Sequence, residues 1–339
     1  YREAGNMKGW QLRQIKTPLQ IVERDLPKLQ EDQVVVKLNA AALNRRDYWI
    51  TQGLYPGIQL PAILGSDGAG VVVEVGNSGD QGLLGQEVVL YPGIGWGDNP
   101  KAQSPEFCPL GMPHDGTFAT EIVIAKECLF PKPLHLDWTE AAALPLGGTT
   151  AYRAVCTQGQ FVPGQSVLIT GVGGGVSSLA LQLVANQGGH VVVTSSSPQK
   201  IEVAKSLGAD GGVDYTQTDW HLDIRQKFGE FDLIIDSAGG DGMNALIDLA
   251  RRGGRIVSYG ATAGKPARFD LHKLFWKQIH LIGASMGSPK ELGSYLEIVT
   301  RRELRPQVDQ VFPFADVNQA LQNLEVNTQM GKLVIETQA

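Results

Sequence analysis

The sequence predicts an α/β protein that combines a doubly wound parallel sheet with a partly closed β-barrel. From about residue 139 to residue 284, short apolar runs alternate with amphipathic segments, an order typical of a parallel sheet covered by helices. From about residue 8 to residue 130, short β-rich runs are instead separated by glycine and proline turns, which indicates the barrel. A length of 339 residues is sufficient for two such domains.

Each block of the chain predicts its own strands and helices. In the first block, β-branched runs between turns predict strands at 34–38, 70–76 and 87–90. In the last block, from residue 285, we expect a helix near 292–301 and a closing strand at 332–335. The predicted strands of the middle block, in chain order, are 167–170, 190–194, 212–215, 231–236, 255–258 and 280–284.

The turn after the first strand of the middle block carries the clearest functional signal. An apolar strand runs into four glycines, and a helical pattern begins at Val176. Glycines permit a tight turn and a close approach of a pyrophosphate to the backbone, while the helix N-terminus offers unpaired N–H groups and a positive dipole end. A further strand at 190–194 completes the order of a βαβ unit. The segment therefore predicts dinucleotide binding through Gly171, Gly173, Gly174, Gly175 and Val176.

Composition and charge narrow the function classes. The chain is 42% hydrophobic and 19% charged, which is typical of a folded protein with a core. A net charge of −6 without a dense Lys/Arg patch argues against nucleic acid or an anionic membrane as the main partner. No apolar run approaches the ~20 residues of a membrane span, and no signal peptide is visible. Because the three cysteines are too few and too scattered for a disulfide framework, we expect reduced thiols and a cytoplasmic location.

Several segments outside the glycine turn carry further motifs. They are 42–49 (ALNRRDYW), 53–56 (GLYP), 65–76 (GSDGAGVVVEVG), 141–145 (AAALP) and 148–152 (GTTAY). Together with the glycine turn, they resemble the medium-chain dehydrogenase/reductase family, and within it the zinc-independent quinone oxidoreductase branch, over nearly the whole chain after Met7. The resemblance implies a GroES-like β domain at 1–134, a Rossmann domain at 135–284 and a return of 285–339 to the β domain.

The positions that hold zinc in the alcohol dehydrogenases of this family carry other residue types in this chain. The resemblance places Asn44, Ser66 and Leu146 where those enzymes have Cys, His and Cys. An amide, a hydroxyl and an aliphatic group cannot form the nitrogen and sulfur shell that zinc prefers, and the neighbouring Asp67 adds only one carboxylate. The structural zinc lobe needs four closely spaced cysteines, whereas the corresponding loop has only Cys108. We therefore predict that the protein holds no metal.

The absence of a metal changes the acceptor that we expect. Without a Lewis acid, an acceptor that delocalises the charge of hydride addition is easier to reduce, so neutral hydrogen-bond donors can suffice. We predict a quinone or an α,β-unsaturated aldehyde or ketone as substrate. The resemblance puts Asn44, Trp49 and Tyr55 near the nicotinamide and the substrate, with Asn44 and Tyr55 as donors. Each also fits a structural interpretation: local backbone bridging for Asn44, packing for Trp49, and a turn position for Tyr55.

The residues after the second strand of the middle block indicate which nicotinamide nucleotide binds. NAD-specific sites usually place an acidic residue there to hold the ribose 2′-hydroxyl. This chain has Ser195, Ser196 and Lys200 instead, and hydroxyls with an ammonium can hold a 2′-phosphate. Tyr215 matches the family position whose hydroxyl reaches the same phosphate. We predict NADP(H), with NAD(H) as the alternative if these residues form only a polar turn and a solvated helix.

One residue of the glycine turn departs from the family pattern. Ser177 stands where the family usually has its last glycine, and serine is still small enough for the helix to pack on the strand. The residues that we assign to cofactor binding are Thr150, Gly171, Gly173, Gly174, Gly175, Val176, Ser195, Ser196, Lys200, Tyr215 and Gly260.

Other functions and assembly states are also open at this point. An enoyl-thioester reductase would use the same cofactor, although no basic patch for a carrier-linked substrate is clear in the sequence. A non-catalytic, crystallin-like NADPH-binding protein would bind the nucleotide without turnover. The resemblance implies a homodimer that pairs through the strand at 280–284, and a second copy would cover the exposed edge of that strand. The alternative is a monomer whose edge is capped by the last block.

Overall fold

The structure is a computed structural model that describes residues 6–338. Its chain divides into two compact units: the first holds the residues up to Leu146 and from Ser288 onward, and the second holds Gly147–Gly287. The predicted boundaries of 134 and 284 therefore differ from those of the compact units. The segment after residue 134 belongs with the first unit because its helix Trp138–Ala142 packs on the barrel strands.

The secondary structure follows the chain in the order that the sequence predicts, from a β-rich start to alternating strands and helices. Short 3₁₀ segments lie at Ser78–Leu83, Lys126–Cys128, Gly240–Gly242 and Phe314–Asp316, and a π-helical segment lies at Arg153–Gln158. The strands are β1 (Met7–Leu12), β2 (Gln20–Arg24), β3 (Gln33–Ala42), β4 (Ala62–Ile63), β5 (Asp67–Val75), β6 (Glu87–Leu90), β7 (Gly93–Ile94), β8 (Cys108–Pro109), β9 (Glu121–Ala125), β10 (Leu129–Pro131), β11 (Ser166–Ile169), β12 (His190–Ser195), β13 (Gly211–Asp214), β14 (Phe231–Asp236), β15 (Ala250–Ser258), β16 (His280–Gly283), β17 (Val308–Pro313) and β18 (Lys332–Glu336). The helices are α1 (Arg45–Thr51), α2 (Trp138–Ala142), α3 (Pro145–Tyr152), α4 (Gly175–Ala185), α5 (Pro198–Ser206), α6 (Trp220–Phe228), α7 (Met243–Leu249), α8 (Leu271–Trp276), α9 (Pro289–Arg302) and α10 (Val317–Val326).

The first unit is built around β3. This long strand pairs antiparallel with β5, β9 and β18, and β18 continues the sheet in parallel to β17. A second sheet, in the order β2-β1-β4, packs beside it. Side chains such as Trp10, Ile50 and Phe118 form the buried core between these elements. Because β3 pairs with β5 along one edge and with β18 at the end of the other, residues from the early part and from the end of the chain meet at its carboxyl end.

The second unit is a parallel sheet in the order β13-β12-β11-β14-β15-β16. The strand order reverses direction between β11 and β14, which makes this a doubly wound sheet with a switch point where such folds bind ligands. The predicted fold class is confirmed, and every predicted strand of the middle block overlaps an observed one. No helix within residues 6–338 has the length and apolar character that crossing a membrane requires.

Candidate functional site

The glycine turn of the second unit has the geometry that its sequence predicts. β11 ends at Ile169, and α4 begins at Gly175. Gly171 has a φ of 62°, a conformation that favours glycine. Gly174 N donates to the carbonyl of Gly171 at 3.1 Å, which closes the turn. The turn therefore leads directly into the first residues of α4, whose backbone N–H groups have no helical partner.

Ser177, which replaces the last glycine of the family pattern, takes part in this turn. Its side chain is buried, and its Oγ lies 2.8 Å from the carbonyl oxygen of Gly171 and 3.0 Å from that of Gly174. The hydroxyl therefore ties the turn to the start of α4, and the helix still packs on the sheet. The departure from the family pattern is accommodated without opening the turn.

The residues predicted to hold a 2′-phosphate lie together at the carboxyl ends of β12 and β13. Ser195 ends β12, and its Oγ accepts a hydrogen bond from Ser197 N at 3.1 Å. Ser196 is exposed, and the backbone N of Tyr215 donates to the carbonyl of Ser195 at 3.2 Å. Lys200 lies in the first turn of α5 and reaches back to the glycine turn. The two serines, the lysine and the tyrosine therefore share one edge of the sheet.

The remaining predicted cofactor residues occupy the same unit. Thr150 is buried in α3, and Gly260 follows β15. A Cβ atom at Gly260 would lie 2.9 Å from the carbonyl oxygen of Ser237, so the chain there tolerates only glycine without a shift. Sequence reasoning missed two neighbours of this edge. Asp236 is buried and accepts from Thr170 Oγ1 at 2.7 Å, while burial raises the pKa of Tyr259.

The first unit gathers a second polar group around Asn44. In the antiparallel register of β3 and β5, Ala42 pairs with Asp67, and in that of β3 and β18 it pairs with Val334. Continuing that second register by two residues brings Asn44 opposite Lys332. The side chains of Asn44 and Asp67, 23 residues apart, therefore meet that of the distant Lys332 at the carboxyl end of β3.

The hydrogen bonds within this group are short and buried. Lys332 Nζ donates to Asn44 Oδ1 at 2.7 Å and to Asp67 Oδ2 at 3.3 Å. Asn44 Nδ2 donates to Asp67 Oδ2 at 3.0 Å, and the backbone N of Leu146 donates to Asp67 Oδ1 at 2.8 Å. Lys332 is only 3% exposed and Asp67 is fully buried. The ammonium and the carboxylate thus compensate each other's charge out of contact with water.

The residues at the zinc-ligand positions do not fit zinc. Asn44 Oδ1 and Asp67 Oδ2, the oxygens that could face a cation, already accept from the Lys332 ammonium. Ser66 Oγ donates to a backbone carbonyl at 2.7 Å, and the side chain of Leu146 is aliphatic. Within residues 6–338, no group of three His, Cys, Asp or Glu side chains is placed to hold a metal ion. The oxygens of Asn44 and Asp67 act as hydrogen-bond acceptors around the internal cation of Lys332, not as ligands to a metal.

Tyr55 is held by a buried arginine that sequence reasoning did not assign to the site. The Arg46 guanidinium lies over the Tyr55 ring, with Cζ 4.8 Å from the ring centroid. The same guanidinium donates to the carbonyls of Leu110 and Met112, at 2.7 and 3.2 Å, and to Ser66 Oγ at 3.2 Å. Because these bonds fix the guanidinium plane, they also limit the orientation of the tyrosine ring.

Trp49 has a different environment from the other two predicted catalytic residues. Its half-buried ring lies 5.1 Å from that of Tyr48, centroid to centroid. The structure places Asn44 at the N-cap of α1, Trp49 within that helix and Tyr55 shortly after its end. The three residues therefore share one segment, but only Asn44 belongs to the buried polar group.

Asp47 caps the first helix of the chain, α1. Its Oδ2 accepts from the backbone N of Asn44 at 2.8 Å at the start of α1. Its Oδ1 is buried and has no hydrogen-bond partner within the described part of the chain. Burial raises the pKa of Asp47 to about 6, against the opposing effect of the Arg46 charge. The spacing Asn-x-x-Asp before a helix was the signal that could have revealed this cap.

Two family models match the chain. The one described as "Alcohol dehydrogenase GroES-like domain" matches residues 30–134, and the one described as "Zinc-binding dehydrogenase" matches residues 175–301. The first match lies within the first compact unit, and the second covers most of the second unit.

Relatives and solved structures match over most of the chain. The zinc-type alcohol dehydrogenase-like protein YogA of Leptosphaeria maculans is 34% identical, over 95% of this chain and 96% of that protein. The chloroplastic NADPH-dependent alkenal/one oxidoreductase of Arabidopsis thaliana is 31% identical, over 91% of this chain and 73% of that protein. A solved structure of an NAD-dependent alcohol dehydrogenase superposes with a TM-score of 0.90 at 33% identity, covering 97% of this chain and 99% of that one.

Proposed function

Because the chain belongs to the medium-chain dehydrogenase/reductase family of oxidoreductases, we propose that it is a zinc-independent, NADPH-dependent reductase of conjugated carbonyl compounds. Its acceptor would be a quinone or an α,β-unsaturated aldehyde or ketone. The observation that carries this proposal is the buried group of Asn44, Asp67 and Lys332, in which Asn44 stands at one of the three zinc-ligand positions. That group offers hydrogen-bond donors backed by an ammonium and leaves no ligand shell for a metal.

The choice of a conjugated acceptor follows from the strength of those donors. A simple carbonyl develops a localised alkoxide charge on reduction, which a metal stabilises well and a neutral amide stabilises less. An enone or quinone spreads the charge over several atoms, so amide and phenol donors are sufficient. The alkenal/one oxidoreductase of Arabidopsis thaliana, with 31% identity, has a name that matches this class of acceptor.

The second unit supplies the side chains that would hold NADP(H). The glycine turn, with Val176 and Thr150, would bind the pyrophosphate and its surroundings, and Gly260 would leave room at the neighbouring strand end. Ser195, Ser196, Lys200 and Tyr215 would hold the 2′-phosphate. When bound, the nicotinamide supplies the hydride. The solved NAD-dependent neighbour makes NAD(H) the alternative that a direct comparison of the two nucleotides must test.

The first unit supplies the groups that would act on the substrate. Asn44 would donate to the acceptor oxygen from its amide, and Tyr55 would donate from its phenol. Trp49 would contribute an apolar wall, since its indole already packs on Tyr48. Arg46 would keep the Tyr55 ring in place through the stacked guanidinium.

A substrate panel tests this function. NADPH oxidation would be followed with quinones, enals, enones, enoyl thioesters and saturated aldehydes, and NADH would be compared throughout. We expect turnover with quinones, enals or enones and little with saturated aldehydes. Turnover confined to enoyl thioesters would identify a thioester reductase instead. Tight NADPH binding without turnover of any acceptor would indicate a non-catalytic nucleotide-binding protein and contradict the proposal.

We also propose a homodimer that pairs through β16, while the cytoplasmic location stays a prediction. β16 is an edge strand of its sheet, and Leu281 on it is 43% exposed. The preceding helix α8 carries Phe275 and Trp276, which are 60% and 71% exposed. Large exposed apolar side chains beside an open edge favour pairing with a second copy. Sedimentation that shows only a species of single-chain mass at micromolar concentration would reject the dimer.

A further inference from the structure

We propose that Lys332 is a positioning residue that orients and polarises the Asn44 amide, so that one N–H of that amide is presented to the substrate oxygen. The inference rests on the proposed function for its kinetic consequence, but its structural part concerns only side chains within the first unit. Lys332 lies 288 residues after Asn44 in the sequence and opposite it in the fold.

The chemistry of the two neighbours determines which way the amide faces. An ammonium can only donate a hydrogen bond, and an ionised carboxylate can only accept one. The oxygen of Asn44 must therefore face Lys332, and its nitrogen must face Asp67, as the distances of 2.7 and 3.0 Å show. A flipped amide would set its nitrogen against the ammonium and its oxygen against the carboxylate, so both contacts would be repulsive.

This orientation leaves a donor available. The NH₂ group of Asn44 has two hydrogens, and one of them is directed to Asp67 Oδ2. The other has no hydrogen-bond partner within residues 6–338. The amide plane, held at both ends by buried charges, thus presents one N–H in a fixed direction, as a preorganised oxyanion donor requires.

The ammonium also strengthens that donor. A positive charge 2.7 Å from Asn44 Oδ1 withdraws electron density from the amide and makes its N–H groups more acidic, because hydrogen bonds in a chain polarise one another. Burial of Lys332, at 3% exposure, keeps water from screening this effect. Asp67 balances the charge, and it is held in turn by the backbone N of Leu146 at 2.8 Å. A buried cation thereby acts on the substrate through the asparagine without touching it.

Kinetics of a double-mutant cycle test the inference. Lys332→Met keeps the length of the side chain and removes its charge and donors, and Asn44→Ala removes the amide. We expect Lys332→Met to lower kcat by about tenfold to hundredfold, the effect of losing a charged hydrogen bond, with KM and NADPH affinity nearly unchanged. Because both residues act through one amide, the double variant should be no slower than Asn44→Ala alone. Lys332→Arg should restore part of the lost kcat.

Loss of folding and failure of the proposed function are separated by further measurements. Lys332→Met leaves the Asp67 carboxylate buried without a counter-charge, which would destabilise the fold. Combining Lys332→Met with Asp67→Asn removes both charges. This double variant should keep a near wild-type melting temperature and still lose kcat. In protein labelled with [¹⁵N]asparagine, the Asn44 side-chain signals are those missing from Asn44→Ala. We expect Lys332→Met to shift them and speed their hydrogen exchange, and Lys332→Arg to preserve them.

The outcomes are distinct. If Lys332→Met leaves the Asn44 signals unchanged, or if its kinetic effect adds fully to that of Asn44→Ala, Lys332 does not act through the asparagine and the inference is wrong. If the signals change as expected but the wild-type protein reduces no conjugated acceptor, the orientation of Asn44 by Lys332 stands and the proposed function fails.

Discussion

Replacing Lys200 by alanine tests the proposed preference for NADPH at a single side chain. Lys200 lies in the first turn of α5, and its Nζ reaches the glycine turn: a Cβ atom built on Gly173 would lie 2.7 Å from that nitrogen. Ser195 lies at the end of the adjoining strand β12. In the proposed site, the ammonium would neutralise the 2′-phosphate, which would lie between the serine hydroxyls and the turn.

The expected magnitude follows from the charge of the 2′-phosphate. A hydrogen bond to a charged group contributes about 1.5–3 kcal/mol, and about 1.4 kcal/mol changes a dissociation constant tenfold. For Lys200→Ala we expect the Kd for NADPH to rise by about tenfold to hundredfold. NADH lacks the phosphate, so its Kd should change by less than about threefold, the effect of an ordinary surface substitution.

The assay is titration of both nucleotides by calorimetry at one fixed salt concentration. Lys205→Ala is the matched control, because Lys205 lies on the same helix and pairs with Glu202 at 2.9 Å, near the opposite end of α5. An unchanged NADPH/NADH affinity ratio in Lys200→Ala would refute the phosphate site. An equal loss for both nucleotides would move Lys200 to the pyrophosphate.

Three other perturbations test separate parts of the site. Tyr55→Phe should lower kcat more than it raises KM, because the hydroxyl acts where charge develops; one lost oxyanion donor costs about 2.7–4 kcal/mol in known cases, and a conjugated acceptor should show the low end or less. If stopped-flow kinetics with C4-deuterated NADPH show rate-limiting hydride transfer and an unchanged rate, Tyr55 is not a donor. Folding raises the pKa of Asp47 from 3.8 to about 6. Between these pH values the folded protein binds a proton at Asp47 that the unfolded chain does not, so the free energy of unfolding falls as pH rises through that window. Urea unfolding should therefore show Asp47→Asn gaining stability relative to wild type from about pH 4 to pH 6 and no further above it; a pH-independent difference would contradict the raised pKa. Elemental analysis should find no stoichiometric zinc, and chelators should leave turnover unchanged, whereas one zinc per chain with chelator-sensitive activity would overturn the metal-free assignment.

The parallel sheet was predictable because its strands are short apolar runs with turn residues on both sides. β14 and β16 agree with the predicted ranges to within one residue. β15 begins at Ala250, five residues before the predicted start. The prediction started late because the sequence Arg-Arg-Gly-Gly after Ala250 looks like a turn. β1 and β2 were not predicted, since polar residues such as Lys8 and Gln11 interrupt their apolar pattern.

The candidate site was predictable only where its residues are close in sequence. The glycine turn and the serines after β12 follow each other within one βαβ unit, so their proximity follows from the chain order alone. The contact between Asn44 and Lys332 depends on the register of two strands 288 residues apart, which no local pattern specifies. The sequence therefore predicted Lys332 only as the first residue of a closing strand. The role of Arg46 was hidden for a related reason, since its partners Leu110 and Met112 belong to an irregular loop.

Because the first unit is discontinuous in sequence, the two units can complete their folding at different times during synthesis. The second unit is one continuous stretch, Gly147–Gly287, and all of its strand pairings can form while later residues are still being synthesised. The first unit needs β18 between β3 and β17, so the buried Asp67 carboxylate lacks its ammonium partner until Lys332 emerges from the ribosome. We therefore expect a chain that stops before β18 to fold its second unit and to lack the proposed reductase activity.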